Sequence, residues 1–112
     1  SVRLLAVEGC VAMASLLSED ARKELIRPVL ANLIDDKSWR VRYMVAEKLT
    51  DIQSAIGEDM SLSELVPAYV NLLKDPEGEV RCAAAQRLQS MMIFVVVYFN
   101  NLISRIILQG AP

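Results

Sequence analysis

The chain has no histidine among its 112 residues, two cysteines, four glycines, four prolines and 5% aromatics. Each shortage excludes something. Without histidine, Ser-His and Cys-His nucleophile pairs and the common zinc ligand sets cannot be completed within the chain. The glycines form no glycine-rich loop ahead of a helix to hold phosphates. Cys10 and Cys82 have no short metal-ligand spacing and read as packed thiols in a reducing compartment. Charge of one sign is lacking too. Twelve basic and 14 acidic residues are spread along the chain for a net charge of -2, which points away from nucleic acid and anionic membranes and toward protein partners. No stretch alternates with period two long enough to demand a sheet. The expectation is a non-catalytic protein with no cofactor, no metal and no small-molecule substrate. The first residues, SVRLLAVEGC, start inside an apolar helical pattern, which reads as the start of a fragment of a longer protein.

What is present is hydrophobic residues, 54% of the total, in a repeating order. The segments VRLLAVEGCVAM from Val2, VRYMVAEKLTDI from Val41 and VRCAAAQRLQSM from Val80 each begin 39 residues after the last. The same shift relates IRPVLANLIDD to LVPAYVNLLKD, matching Pro28 to Pro67 and Asp36 to Asp75. Such self-similarity is the signature of stacked repeats. Val41, Val45, Leu49, Ile52 and Ile56 keep helical spacing, and Leu25, Val29 and Leu33 are taken as the apolar stripe of the preceding helix, with Leu65, Tyr69 and Leu72 in the next copy. Gly57 sits where a helix should stop, and Ser61 followed by Glu64 fits a capping box. Short linkers, 35–38 and 74–78, require the paired helices to fold back as antiparallel hairpins. The predicted fold is all-α, an α-α superhelix of HEAT-repeat type. A helix over 1–17 would be followed by repeats over 19–56 and 61–95, an array over 1–89 and a distinct tail over 90–112.

The repeated residues have physical roles. Pro28 and Pro67 lie within helical patterns, where proline removes a backbone hydrogen bond, and predict a kink. Asp36 with Arg42, and Asp75 with Arg81, recur at one spacing, which suits a ladder of charge-assisted bonds between repeats better than a ligand-binding arginine. Asp75, Glu77 and Glu79 have the wrong spacing for a calcium loop and read as a solvated acidic turn. Arg22, Lys23 and Arg27 are interleaved with Glu19, Asp20 and Glu24 and read as a solvated face. Met13, Met44, Met91 and Met92 read as core filler. Trp39 lies at a turn, in DDKSWR. Either it anchors a partner together with Arg40, both residue types being enriched in interface hot spots, or its indole folds onto its own helix pair.

Pro28, Asp36, Val41 and Arg42, repeated as Pro67, Asp75, Val80 and Arg81, match the HEAT-repeat pattern. DDKSWRVRYMVAEKL, LVPAYVNLLKD and EVRCAAAQRL further resemble the scaffold (A, structural) subunit family of serine/threonine protein phosphatase 2A, over about residues 1–89. That resemblance implies a passive platform, cytoplasmic and also nuclear, that binds a regulatory (B-type) subunit and, in the full array, a catalytic subunit. It implies a docking ridge on the turns, from Asp36 through Lys37, Ser38 and Trp39 to Arg40 and from Asp75 through Pro76, Glu77 and Gly78 to Glu79. A HEAT adaptor of nuclear transport or microtubule-associated complexes is the alternative. The resemblance stops near Ser90, where MMIFVVVYFNNLISRIILQGAP follows and Ile106 stands in place of a third proline. Spanning a membrane takes about 20 apolar residues. The run Met91 to Phe99, interrupted afterwards by Asn100, Asn101 and Arg105, reads as a helix end followed by residues that pack over the stack or stay exposed, with a membrane-anchored variant as the third reading.

Overall fold

A computed structural model of the protein describes residues 2–110. Ser1, Ala111 and Pro112 lie outside the described residues, as do the side chains of Val2, Arg3, Leu4 and Ala6, and with them the first Val-Arg pair of the repeat. The described residues are helical and contain no strand. The helices are α1 (Val2–Ala14), α2 (Glu19–Ile34), α3 (Trp39–Glu47), α4 (Leu49–Met60), a π-helical turn (Ser61–Leu65), α5 (Val66–Leu73), α6 (Gly78–Ala85) and α7 (Leu88–Leu108). The fold is all-α, with paired helices stacked side by side. Its radius of gyration, 14.4 Å, exceeds the roughly 13 Å of an average compact chain of this length, and its extents of 48 × 35 × 25 Å describe a short ribbon.

The period is visible in the backbone. α3 begins at Trp39 and α6 at Gly78; α4 begins at Leu49 and α7 at Leu88, each pair 39 residues apart. Between them Lys48 (φ -91°, ψ 12°) and Arg87 (φ -97°, ψ 4°) depart from helical geometry at equivalent places. The continuous inner helix expected from Val41 to Ile56 is therefore two segments joined by a one-residue bend.

α1, α3 and α6 stack in order, with α2 against α1 and α3, and α5 against α6. Val41, Val45, Leu49, Ile52 and Ile56 are all buried, as their spacing predicts. On α2 the predicted stripe is out of phase by one residue: Ile26, Leu30 and Leu33 are buried, whereas Leu25 and Val29 are 56% and 40% exposed. The residues equivalent to the buried trio, Leu65, Tyr69 and Leu72, are buried too. Tyr69 satisfies its hydroxyl by donating to the Ala84 carbonyl at 2.8 Å, so a phenol stands where a leucine stands one repeat earlier, and burial pushes its pKa up. Met60 and Met91 are core residues, but Met13 and Met92 are about half exposed. Cys10 is buried and Cys82 exposed, both free, so only one thiol is packed.

Helix ends follow local chemistry. Ser18 caps α2 by accepting the Ala21 N–H at 3.3 Å, with Glu19 and Asp20 in the first turn against the positive end of the helix dipole. Gly57 takes φ 86°, ψ 174° and breaks α4 there, a conformation essentially confined to glycine. The capping box does not form. Because the chain re-enters helical geometry after Gly57, Ser61 is already helical (φ -62°, ψ -43°), and its buried hydroxyl donates back to the Gly57 carbonyl at 2.6 Å. Pro28 lies within an uninterrupted α2. Pro67 follows the π turn, in which the Val66 N–H reaches back to the Ser61 carbonyl, a wider turn of the kind that interrupts the regular ladder beside a proline.

The tail departs most from expectation. Val96 occupies the position equivalent to Gly57, and without a glycine the helix does not break: α7 runs 21 residues, to Leu108. Met91 is buried, with Phe94, Val95 and Tyr98 packed against the core, whereas eight large apolar side chains from Met92 to Leu108 are 42% to 84% exposed. By length and composition alone the helix could cross a membrane.

Candidate protein-docking ridge

Each turn between paired helices is built twice by the same bonds. Asp36 Oδ1 accepts the Ser38 N–H and Asp75 Oδ1 the Glu77 N–H, both at 2.9 Å, the local bond by which aspartate closes a turn. From the first turn of the next helix, Arg42 Nη1 donates back to the Asp36 carbonyl at 2.7 Å and the Lys37 carbonyl at 3.3 Å. Arg81 Nη1 does the same to Asp75 at 2.7 Å and Pro76 at 3.1 Å.

The two turns are then joined. Arg42 Nε donates to Asp75 Oδ2 at 2.7 Å and Arg42 Nη2 to Asp75 Oδ1 at 3.1 Å, a bidentate pair between one repeat and the next. Its side chains are 16% and 6% exposed. Burial would push the Asp75 carboxyl up, but the Arg42 hydrogen bonds, the Glu77 N–H and the charges of Arg42 and Arg81 outweigh it and hold the pKa below the ordinary aspartate value. The hydrogen bond to Asp75 likewise raises Arg42. The recurring Asp and Arg thus form the inter-repeat ladder. Asp75 is committed to it, which removes it from the surface a partner could touch and explains why no calcium loop is formed.

The predicted ridge residues divide accordingly. Asp36 and Ser38 are half-buried in the turn, while Lys37, Arg40, Pro76 and Glu79 are exposed; Trp39, Glu77 and Gly78 are intermediate. Trp39 packs against the core cluster, edge-on to Tyr43 at 6.2 Å, with the Arg40 guanidinium 4.9 Å over its ring. The indole therefore folds onto its own helix and keeps one edge and its arginine cover at the surface. Tyr43 is in turn fixed by donating its hydroxyl to Glu47 Oε1 at 2.8 Å, a bond that raises the phenol pKa. Val41 and Val80 are buried and Pro28 is exposed. A shallow groove lined by Asp36, Arg42, Lys74, Asp75 and Pro76 runs between the two turns.

Sequence reasoning missed how the basic cluster on α2 is used. Arg22 Nη1 donates to the Ala55 carbonyl at 2.8 Å, and Arg27 pairs with Glu64 of the following repeat at 2.8 Å, although that pair is largely solvated and worth little. Lys23 pairs with Glu19 one turn away. Only long-range placement distinguishes these residues from a solvated face.

Stacked antiparallel helix pairs, tied by a buried ion pair and presenting a row of turns, define a helical-repeat protein. Residues 3–93 match the family model of the Vacuolar 14 Fab1-binding region, and the chain belongs to that family. No curated protein matches the chain significantly. The family match overturns the resemblance to the protein phosphatase 2A scaffold, and with it the regulatory and catalytic phosphatase subunits as partners; nuclear transport receives no support either. The physical reason is that the residues carrying the resemblance are spent on stacking. Val41 and Val80 fill the core, and Arg42 and Asp75 join the repeats.

Proposed function

We propose that this chain is a non-catalytic docking segment that binds Fab1 along the turn ridge, with Lys37, Trp39 and Arg40 on one turn and Pro76, Glu77 and Glu79 on the next as contact residues. The membership of residues 3–93 in the Fab1-binding region family carries the proposal. The geometry supports it. The backbones of the two turns are fixed by paired aspartate and arginine bonds, so exposed side chains are presented with little ordering cost on binding. Trp39 and Arg40 form a rigid amphipathic unit of the kind that dominates interfaces. The free, exposed Cys82 fits a reducing compartment, and the cytoplasm, with the nucleus second, is the proposed location.

The test is capture of purified Fab1 by the immobilised full chain. The wild-type chain should retain Fab1, and the Trp39→Ala/Arg40→Ala chain should retain it at least tenfold more weakly, with an unchanged circular dichroism spectrum. Undiminished capture by that variant would remove the ridge assignment. Failure of the wild-type chain to capture Fab1 would remove the partner.

A further inference from the structure

We propose that α7 is a self-association helix that pairs antiparallel with α7 of a second copy of this chain, independently of the ridge. Met92, Val96, Phe99, Ile103 and Ile106 follow one another at spacings of four, three, four and three residues, and all are 42% to 53% exposed. That alternation is the seam of a two-helix coiled coil, in which each apolar side chain enters a hole on the facing helix. The buried Met91 lies on the opposite side of the seam from solvent, so α7 holds its own repeat with one face and leaves the seam open.

The amount of surface suits a second copy. Eight apolar side chains exposed by 42% to 84% offer on the order of 800 Å², which is what each partner contributes to a standard interface, and more than monomers ordinarily leave bare. The helix is about 32 Å long, enough for two heptads. Arg105 is its one charge from Leu88 to Leu108, so little repulsion opposes pairing and no charged face favours lying in a lipid headgroup layer. The antiparallel orientation follows from the fold. The stacked repeats sit against the first half of α7, and an antiparallel partner puts its own repeats at the far end, whereas a parallel one would crowd both bodies at the same end. In the antiparallel register Val96 meets Ile106 of the second copy and Phe99 meets Ile103.

Light scattering after size exclusion of the full chain should give about twice the 12.5 kDa of one copy, with dissociation on dilution. Phe99→Lys alone and Ile103→Glu alone should each weaken the dimer by at least a hundredfold. Mixing the two variants should restore it, because only the antiparallel register sets Lys against Glu while the other layer keeps its native Phe and Ile. Rescue cannot arise from misfolded chains. A wild-type chain that is monomeric at high micromolar concentration, a mixture that fails to pair, or wild-type chain that floats with neutral phosphatidylcholine vesicles instead of dimerising would each overturn the proposal, the last in favour of a lipid surface.

Discussion

Removing Arg42 should cost more stability than removing its partner. Arg42→Ala leaves the Asp75 carboxylate, 6% exposed, with the Glu77 N–H as its remaining hydrogen bond. Breaking a buried pair from one side costs about 3–5 kcal/mol. The Arg42 side chain is itself 16% exposed, so water enters the vacated space and the expected loss is at the lower end, about 3 kcal/mol. Asp75→Ala should cost about 2 kcal/mol, since Arg42 keeps the Asp36 and Lys37 carbonyls and loses two charge-assisted bonds that water partly replaces. The double variant should lie close to Asp75→Ala alone, giving a coupling of roughly 2 kcal/mol, within the range for contacting residues. Urea unfolding followed by circular dichroism and Trp39 fluorescence measures all four corners. The same pair makes the protein acid-sensitive. The Asp75 pKa is depressed on folding, so its stabilisation is fully present above the unfolded aspartate value and is lost as pH falls through the folded one. Asp75→Asn should abolish that part of the acid dependence. Single costs below about 0.5 kcal/mol, the usual size for surface substitutions, would refute the ladder as a source of stability. Costs that simply add would do the same.

Three further outcomes can be checked with the same unfolding assay or with thiol labelling. Gly57→Ala, which forces a Cβ into φ 86° and ψ 174° without any steric neighbour, should cost about 1–3 kcal/mol through backbone strain alone. Tyr69→Phe, which orphans the buried Ala84 carbonyl, should cost about 1–2 kcal/mol, and a neutral result would mean that water reaches that carbonyl. Exposed Cys82 should react with a thiol reagent at once, whereas Cys10, buried and with its pKa pushed up by burial, should react only on unfolding; equal rates in the folded protein would contradict the placement of α1.

The fold was legible because its repeat is chemical as well as periodic. Asp36 and Asp75 close their turns by identical bonds, and Arg42 and Arg81 reach back to the same two carbonyls. Phase was harder to read. On α2 the pairs Leu25-Ile26 and Val29-Leu30 both keep helical spacing, so periodicity alone cannot choose between them. The equivalent residues Leu65 and Tyr69, flanked by Glu64 and Ala68, do choose. The length of α7 was underestimated because an apolar run was counted where a missing break mattered: Val96 replaces the glycine that stops α4. The capping box failed for a related reason, since the position of Gly57 decides whether Ser61 begins a helix or continues one.

Residues that recur at the 39-residue shift describe how repeats hold one another, so any array stacked in this way can share them, and they identify a partner poorly. Partner information must lie where equivalent positions differ. Lys37, Ser38, Trp39 and Arg40 on the first turn correspond to Pro76, Glu77, Gly78 and Glu79 on the second. One turn is basic and carries the indole; its neighbour is acidic and has no side chain where the indole would be. The Arg42–Asp75 pair holds these opposite surfaces side by side. A partner seated across both turns therefore has to present an acidic group to Lys37 and Arg40 and a basic group to Glu77 and Glu79, in a fixed order. A uniformly charged partner would gain at one turn what it loses at the other, and the ridge discriminates by the pattern of charge along it rather than by the total.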